Sequence, residues 1–512
     1  MNLHILFASA LLICLSIFTV GCGVSLPRNA GQPSIALPPA QTGVLAESVS
    51  EMMAQHPQLS GVTPLASGTD AFAARMLLAD SATTSIDTQY YIWRADLTGY
   101  LLLARLHRAA ERGVRVRLLL DDHGTGGLDA EIAALQAHPN AEVRLWNPFT
   151  VRRFKMLSYG VDFFRLNRRM HNKSFTVDGQ VSVLGGRNIG DEYFNTGFMP
   201  LSVDLDVLVV GEVVPQISQD FDRYWNSVSA YPSAQIITKT AHVDPILAQL
   251  ERFKNSEQMV KYRSMLEQSK FLARLGSGAL DFEWTQVTLV SDDPAKGQGA
   301  LPREKLLTGL MAKAVGEIEY KIDGVTPYFV PGKEGVTAFN GLVKNGVEVR
   351  ILTNSLEATD VLPVHAGYAK RRKKLLEGGV ELFEMRSRVE ANEETKKLGP
   401  FGSSASSLHA KTFAVDGKRI FVGSFNFDPR SARLNTEMGV LIESERLAQG
   451  LHSVFDSGLS GAAWQVKLHD HDLLWMDPGK TDTPAITKEP GSNIWRNSAI
   501  KVIGWLPVEW LL

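Results

Sequence analysis

The hydrophobic and polar positions of this chain change period several times, and each change predicts a new element. From residue 70, "DAFAARMLLADSA" has apolar residues at helical spacing, and "SIDTQYYIW" then alternates as a β-strand does. A second amphipathic helix, "GYLLLARLHRAAERG", ends at a glycine and precedes the apolar strand "VRVRLLLDD". Strands separated by helices in this way are typical of an α/β fold.

The second half of the chain repeats this order of elements. The stretch "REKLLTGLMAKAVGEIEYKIDGVTPYFVPG" predicts a helix and a strand. The following "GLVKNGVEVRILTNS" matches "AAERGVRVRLLLDD", with Gly346 in place of Gly113 and Arg350 in place of Arg117, 233 positions apart in both cases. A period this long is not that of a solenoid and indicates an internal duplication into two domains.

A string of reactive side chains is also written twice. "MHNKSFTVDGQVSVLGGRN" begins at Met170, and "LHAKTFAVDGKRIFVGSFN" begins at Leu408. Five residue types return in the same order, each pair 238 positions apart: His171/His409, Lys173/Lys411, Asp178/Asp416, Gly185/Gly423 and Asn188/Asn426. Two intact copies predict two halves that each contribute half of one site.

Local patterns place the side chains of this motif. "SFTV" and "TFAV" alternate as strands do, so the histidine and lysine of each copy lie on one face. The Asp-Gly pairs that follow are favourable hairpin turns, so Asp178 and Asp416 either shape a turn or act in catalysis. The small pairs Gly185-Gly186 and Gly423-Ser424 are expected to let backbone amides approach an anion, and Asn188 and Asn426 add neutral donors.

Such a set of residues suits phosphoryl transfer. Two lysine ammoniums and several N–H donors would stabilise the negative charge of a five-coordinate phosphorus. One histidine can attack phosphorus, while the other protonates the leaving alkoxide and later deprotonates the incoming alcohol or water. We therefore expect neither a metal nor an organic cofactor.

Composition and charge narrow the class of protein. The 512 residues allow about two or three domains, and 44% hydrophobic with 21% charged residues is ordinary for a globular protein. The formal net charge of −2 lacks the basic excess of most proteins that bind nucleic acid through its phosphates. A nucleic-acid partner is therefore not expected.

The N-terminus predicts a membrane connection. Ile5–Val24 is an uncharged, largely apolar run, long enough for a signal peptide or one membrane-spanning helix. "TVGC" resembles a bacterial lipoprotein signal with Cys22 as the lipidated residue, although an uncleaved anchor or a chance Gly-Cys pair would also fit. Cys14 is the only other cysteine and lies in the same run, so no disulfide is expected in the mature domains.

The predicted organisation has six parts. They are a signal peptide or lipoprotein signal (1–22), a tether (23–55), a first domain (56–240), a helical connector (241–285), a second domain (286–465) and a C-terminal membrane-proximal tail (466–512).

Both copies of the motif satisfy H-x-K-x4-D-x6-G-[GS], so the chain resembles the phospholipase D superfamily over about residues 60–512. Within it, "DTQYYIW", "GGRNIGDEYF", "GSFNFDPRSARLNTEMGV" and the ending "WLPVEWLL" resemble bacterial cardiolipin synthases of the shorter, non-polytopic kind. The resemblance implies two homologous phospholipase D-like domains, each a mixed sheet flanked by helices, forming a pseudo-twofold bilobal unit.

The resemblance also implies a function. It predicts a membrane-associated phosphatidyltransferase of the bacterial cell envelope, which makes cardiolipin from phosphatidylglycerol, phosphatidylethanolamine or both through a phosphohistidine. A hydrolase that releases phosphatidic acid remains open, as does, less favourably, a nuclease. We expect a monomer, with His171 as the nucleophile and His409 as the acid and base.

A histidine nucleophile also needs an orienting carboxylate. Asp204 in "DLDVLVVG" and Glu437 in "EMGVLIES" occupy corresponding positions, and the resemblance makes them the partners of the two histidines. Asp206 lies on the same strand face as Asp204 and is a rival for its role. Alternatively, these carboxylates are solvated acids at strand edges.

Five further features have both a structural and a functional interpretation. Asp121-Asp122-His123 caps a helix or acts in catalysis, and "KRRKK" is a solvated helix face or binds anionic lipid. Arg187, where the second copy has Phe425, predicts headgroup-binding charge on one side. The two apolar stretches are either packed or in contact with lipid: Phe198–Val203 and the tail around Trp495, Trp505 and Trp510.

Overall fold

The structure is a computed structural model that describes residues 26–194, 201–238, 245–276, 281–387, 406–456, 459, 461–478, 485–506 and 509–512. The predicted signal segment with Cys22 lies outside the described residues, as do Phe198–Pro200 of the predicted acyl-chain rim. No helix in the described ranges is long and apolar enough to cross a membrane.

The described residues form two lobes. The first lobe contains β1 (Ser60–Leu65), β2 (Ser85–Ile92), β3 (Arg115–Gly124), β4 (Ala141–Trp146), β5 (Ser174–Val177), β6 (Val181–Gly185), β7 (Leu201–Val203), β8 (Asp206–Gly211), β9 (Ala230–Pro232) and β10 (Glu283–Thr285). Its helices are α1 (Val44–Gln55), α2 (Gly68–Ser81), α3 (Leu97–Glu111), α4 (Asp129–Gln136), α5 (Lys155–Leu166), α6 (Asp191–Phe194), α7 (Val213–Trp225), α8 (Ser233–Ile236), α9 (Pro245–Phe253), α10 (Glu257–Glu267) and α11 (Lys270–Gly276), with a 3₁₀ turn at Arg152–Phe154.

The second lobe repeats this arrangement. Its strands are β11 (Val287–Ser291), β12 (Lys321–Val325), β13 (Glu348–Asn354), β14 (Glu381–Met385), β15 (Ser406–Leu408), β16 (Thr412–Val415), β17 (Arg419–Gly423), β18 (Met438–Ile442), β19 (Ala463–His469) and β20 (Asp472–Met476). Its helices are α12 (Leu307–Val315), α13 (Gly332–Lys344), α14 (Leu362–Glu377), α15 (Pro429–Arg433), α16 (Glu445–Asp456) and α17 (Ile494–Trp505), with 3₁₀ turns at Pro294–Gly297, Arg303–Lys305 and Glu509–Leu511.

Each lobe is built on a nine-stranded mixed sheet. The orders are β10-β1-β8-β6-β5-β2-β3-β4-β9 and β11-β18-β17-β16-β12-β13-β14-β19-β20. β1-β8-β6-β5-β2-β3-β4-β9 of the first sheet corresponds strand by strand to β11-β18-β17-β16-β12-β13-β14-β19 of the second. The predicted duplicated α/β fold is confirmed, and the motif strands β5 and β16 are the fifth and fourth strands of their sheets, away from both edges.

The alternation of side chains along the strands explains how the lobes pack. Leu208 and Val210 of β8 belong to the first-lobe core, while Val207 and Val209 point the other way. The latter lie in a cluster with residues of the second lobe, which include Ile420, Val422, Val440 and Ile442. Period 2 along each strand therefore gives one face to the lobe's own helices and the other to the contact between lobes.

Duplicated arginines account for the second sequence match. Arg117 donates to Asp87 at 2.7 and 2.8 Å and to Asp222 at 2.8 Å. Arg350 makes the equivalent bidentate pair with Asp323 on the neighbouring strand. Because these side chains are almost fully buried, each arginine needs a fitted carboxylate partner.

Two boundaries of the predicted organisation need correction. Residues within the predicted tether fold onto the first lobe, since Asn29 donates to Ala230 O at 3.0 Å and Val44–Gln55 forms α1. The second sheet continues past the predicted boundary at 465, because β19 and β20 end at His469 and Met476.

The basic run in α14 is divided: its lysines are exposed, as a solvated helix face requires, but its two arginines are buried in ion pairs. Arg371 pairs with Glu509 at 2.6 Å, and the buried Arg372 pairs with Glu384 and Glu489, both at 2.7 Å. These ion pairs attach the C-terminal segment to the second lobe, which a sequence of adjacent cations does not reveal. Beyond them, Trp495 and Trp505 on α17 are 83% and 91% exposed.

The motif aspartates close hairpins and do not enter the site. Asp178 accepts from the amides of Thr83, Thr84 and Ser85 at 2.8 to 3.2 Å, and Asp416 accepts from three consecutive amides of Glu319–Lys321 at 2.8 to 3.0 Å. Both lie beyond the ends of β5 and β16, at the opposite end from the histidines. Their predicted catalytic role is therefore corrected to a structural one, as the turn interpretation implied.

We predict that Asp178→Asn lowers the free energy of unfolding by about 2 kcal/mol, because amide N–H groups around Asp178 lose their charged acceptor. Chemical denaturation monitored by circular dichroism measures this difference. Asp472→Asn, which removes an exposed carboxylate, is the matched control. Equal stabilities of the two variants would contradict the structural role.

Candidate active site

Each motif histidine is held by a carboxylate of the other lobe. His171 Nδ1 lies 2.7 Å from Glu437 Oε2, and His409 Nδ1 lies 2.5 Å from Asp204 Oδ2. A buried carboxylate at Nδ1 fixes the ring and its tautomer. In the described part of the chain neither Nε2 has a hydrogen-bond partner, so the second ring nitrogen of each histidine is not used in holding the ring.

Backbone pairing across the lobes places these rings. His171 N donates to Thr436 O at 2.8 Å, and Thr436 N donates to Arg169 O at 2.9 Å. At the equivalent position β7 pairs in parallel with β15, which sets Val203 beside Leu408. The arrangement is the same in both copies. The residue before the histidine pairs with the residue before the carboxylate that holds that histidine.

Glu437 is held by two further hydrogen bonds besides its contact with His171. Ser424 Oγ donates to its Oε2, and its own amide donates to Asp292 Oδ2 at 3.0 Å. Burial raises the pKa of Glu437 to about 7 despite the nearby Lys173 ammonium.

Asp204 differs from Glu437 in its charge environment. Burial tends to raise its pKa, but His409, Lys411 and Arg187 together hold the pKa below the ordinary value. Asp206, the rival in the sequence, is paired with Arg75 at 2.8 Å. The strand therefore directs Asp204 to the histidine and Asp206 to a buried arginine.

The small residues of the motif make room for these carboxylates. A Cβ on Gly186 would lie 2.1 Å from Asp204 Oδ1, and one on Gly185 would lie 2.4 Å from Asp206 Oδ1. The amides of Gly186 and Ser424 donate to Leu205 O and Met438 O at 3.1 and 2.9 Å. Since these N–H groups are occupied, the expectation that they approach an anion is wrong for Gly186 and Ser424.

Two lysines supply the positive charge. Lys173 and Lys411 are buried, and their ammoniums donate to the carbonyls of His171 and His409. Burial and the repulsion of Lys411 lower the pKa of Lys173 to about 7, and burial lowers the pKa of Lys411 to about 8 against the attraction of Asp204 and Glu437. Lys411 acts on Lys173 across the lobes, and both lysines interact with Asp204 and Glu437, so the two ammoniums belong to one centre.

The same charges keep the imidazoles neutral. Burial, together with Lys173 and Lys411, lowers the pKa of His171 well below its ordinary value. Burial and Lys411 lower the pKa of His409 to about 4, against the opposing effect of Asp204. A neutral His171 has a lone pair on Nε2 at neutral pH, which a nucleophile requires.

Asn188 and Asn426 lie beside the rings but differ in their contacts. Asn188 accepts from Ile92 N at 3.2 Å and donates one of its two side-chain N–H groups to Tyr193 Oη at 3.1 Å. Asn426 is buried, and its Oδ1 has no partner among the described residues. The asparagines are therefore not equivalent donors, as the sequence had suggested.

Two tyrosines at the site were missed. Tyr91 stands edge-on to His171 with ring centroids 4.8 Å apart, and Tyr193 stands edge-on to His409 at 5.1 Å. They come from β2 and α6, outside the duplicated motif. The strings "QYYIW" and "GDEYF" marked family likeness, but no spacing rule connects them to the histidines.

The remaining sequence candidates support the site from behind. Asp121 accepts from Met170 N at 2.8 Å and Arg169 Nη1 at 3.1 Å, so it fixes the backbone before His171 instead of capping a helix. Asp122 pairs with Arg152 and Lys155.

Arg187 is only 1% exposed and donates to Leu65 O, Ala66 O and Asp204 O at 2.8, 2.6 and 2.6 Å. The expectation that it binds a headgroup is wrong, because all of these contacts are internal.

Comparison with known proteins agrees with this geometry. A family model described as "Cardiolipin synthase, PLD-like domain" matches residues 77–225 and 311–459. Cardiolipin synthase C of Escherichia coli (strain K12) is 47% identical over 470 residues, covering 91% of this chain and 99% of that protein. A cardiolipin synthase of Geobacillus kaustophilus is 26% identical over 394 residues, covering 76% of this chain and 64% of the relative.

A solved structure shares the fold. Phosphatidylserine synthase of Haemophilus influenzae aligns over 91% of this chain and 100% of its own, with a TM-score of 0.54 and 15% identity. The chain belongs to the phospholipase D-like family of cardiolipin synthases, and it is an enzyme of the phosphatidyltransferase class.

We predict that Gly186→Ala reduces phosphatidyltransfer by at least about 100-fold, because the new Cβ collides with Asp204 and displaces the partner of His409. The φ angle of Gly186 does not lie in the left-handed region, so the backbone tolerates alanine. Initial rates on labelled phospholipid measure the loss.

Gly341→Ala is the control, since a Cβ there meets nothing within 4 Å. Full activity in Gly186→Ala would show that the Asp204 contact does not matter.

Proposed function

We propose that this enzyme makes cardiolipin through a covalent phosphohistidine. The observation that supports this most is the pair of imidazoles, each with a buried carboxylate at Nδ1 and a free Nε2, beside two lysine ammoniums. The donor is phosphatidylglycerol or phosphatidylethanolamine, and the acceptor is a hydroxyl of phosphatidylglycerol. The substrates follow from the likeness to cardiolipin synthases.

In the first step Nε2 of His171 attacks phosphorus, and the bond between phosphorus and the headgroup oxygen breaks. His409 gives its proton to that oxygen, so the headgroup leaves as an alcohol and not as an alkoxide. The ammoniums of Lys173 and Lys411 stabilise the extra negative charge on the phosphoryl oxygens. In the second step His409 takes the proton of the acceptor hydroxyl, whose oxygen attacks phosphorus and releases His171.

The carboxylates support this division of roles. Asp204 remains ionised because cations surround it, so it favours a protonated His409 when substrate brings further negative charge. Glu437 is protonated more easily than Asp204, since its pKa is raised to about 7. A less charged partner leaves His171 neutral and able to attack.

We propose that the enzyme works at a membrane as a monomer. Its substrates are bilayer lipids, and the exposed Trp495 and Trp505 of α17 suit the headgroup boundary. Membrane attachment through the N-terminal segment remains a part of this proposal.

We predict that the full chain converts radiolabelled phosphatidylglycerol, with or without phosphatidylethanolamine, into cardiolipin, identified by thin-layer chromatography and mass spectrometry. Phosphatidic acid as the sole product would indicate a hydrolase instead.

We predict that His171→Ala and His409→Ala each reduce the rate of phosphatidyl transfer by at least about 1,000-fold. A denaturing quench at alkaline pH, where a phosphohistidine is stable, should find ³²P from labelled donor on His171 in the His409→Ala variant. Label retained by His171→Ala and absent from His409→Ala would reverse the roles of the two histidines.

We predict that kcat/KM falls as pH rises through about 7 and about 8, where Lys173 and Lys411 lose their protons and thus their attraction for the phosphate. The sign follows from the lowered pKa values, because the charged forms are lost on the alkaline side. Rates at constant ionic strength from pH 6 to 10 test this. Lys411→Arg, which stays charged, should remove the fall near pH 8, and an unchanged profile would contradict the assignment.

A further inference from the structure

Helix α5 presents an apolar surface to solvent beside the active site. Six hydrophobic side chains of α5 and the preceding turn are more than a third exposed, and Met156 and Phe164 are 76% and 75% exposed. The opposite side holds the helix in place through the buried Ser158 and Leu166. The exposed set, which we term the α5 surface, consists of Phe154, Met156, Leu157, Val161, Phe163 and Phe164.

A row of aromatic rings connects this surface to the nucleophile. Phe163 contacts Tyr159, and Tyr159 contacts Phe149, with centroids 6.5 and 5.7 Å apart. The row continues from Phe149 to His123 at 6.1 Å and from His123 to Tyr91, also at 6.1 Å. Tyr91 in turn stands edge-on to His171. The α5 surface is therefore the outer end of a continuous row of ring contacts that begins at His171 and passes through the buried Phe149.

Cations flank the same surface. Arg430 donates to Asn167 O, at the C-terminal end of α5, at 3.1 Å and to Leu511 O at 3.0 Å. Arg168 is half-buried and donates to the carbonyls of Lys296 and Gly299. Within the described ranges neither guanidinium forms an ion pair with a carboxylate. Their charge is thus available to an anionic headgroup.

We propose that the α5 surface lies in the interface of an anionic lipid bilayer and passes phospholipid along the aromatic row to His171. This inference rests on the proposed function, and it specifies how the substrate enters. Exposed aromatic and aliphatic side chains bordered by arginines match the boundary between headgroups and acyl chains. An apolar patch of this kind indicates an interaction site, and a protein seated on it would cover the entrance to the site.

The variant Met156→Glu/Leu157→Glu tests the surface without touching the aromatic row. Its control is Ile35→Glu/Val260→Glu, because Ile35 and Val260 are 70% and 63% exposed against 76% and 64% for Met156 and Leu157. All full-length proteins are assayed on phosphatidylglycerol vesicles and on monomeric dihexanoyl phosphatidylglycerol. We expect at least a tenfold loss for the α5 variant on vesicles, a change within twofold on the monomeric lipid, and near-normal rates for the control on both.

A direct measurement makes the surface testable even if the catalytic proposal fails. An environment-sensitive dye is attached at Leu157→Cys or at Val260→Cys, and both proteins carry the same two native cysteines. Brominated acyl chains in phosphatidylglycerol vesicles should quench the dye at 157 and not the dye at 260.

Equal quenching at the two positions, or an equal loss of the α5 variant on vesicles and monomeric lipid, would overturn the proposal. A dye at 157 that is shielded without vesicles would overturn it in favour of a second copy of the chain. An enzyme inactive on both lipids but with a quenched dye at 157 would refute the proposed reaction and retain the membrane surface.

Discussion

The site depends on the exchange of carboxylates between the lobes. Asp204 reaches the second histidine and Glu437 reaches the first, so neither lobe alone contains a histidine oriented by its carboxylate. The shared cluster of aliphatic side chains between the sheets holds the two lobes in the register that this exchange needs. A change that shifts one lobe by an ångström alters both histidines together.

The exchange also concentrates charge. Two ammoniums, two carboxylates and two imidazoles occupy one buried region, and burial alters the pKa of nearly all of them. In the free enzyme, burial favours neutral imidazoles and lowers the pKa of both lysines. The negative charge of a phosphate would raise these pKa values again, so the site is suited to a negatively charged group at its centre.

The sequence allowed the fold and the reactive side chains to be predicted because both are written in local patterns. The alternation in "SFTV" and "TFAV" located the central strands, and the repeated spacing of His171 and His409 located the shared site. Asp204 followed from family likeness, and only the contact of Asp206 with Arg75 excluded that rival. Local patterns do not report such long-range partners.

The predictions that the structure corrects also failed because local patterns do not report long-range partners. Within "KRRKK", the two arginines pair with Glu384, Glu489 and Glu509, which lie further along the chain and which the local sequence does not connect to them. The glycine pair was expected to bind an anion, although it makes room for a side chain positioned across a neighbouring strand. The α5 surface had no pattern that separated it from a buried amphipathic helix.

Backbone hydrogen bonds between the lobes lie immediately next to each histidine, at Thr436 and in the pairing of β7 with β15. A hinge motion that separates the two lobes would break these bonds and at the same time move each histidine away from its carboxylate. The two lobes must therefore stay closed for the reacting groups to stay assembled, so hinge opening between them is incompatible with an intact site.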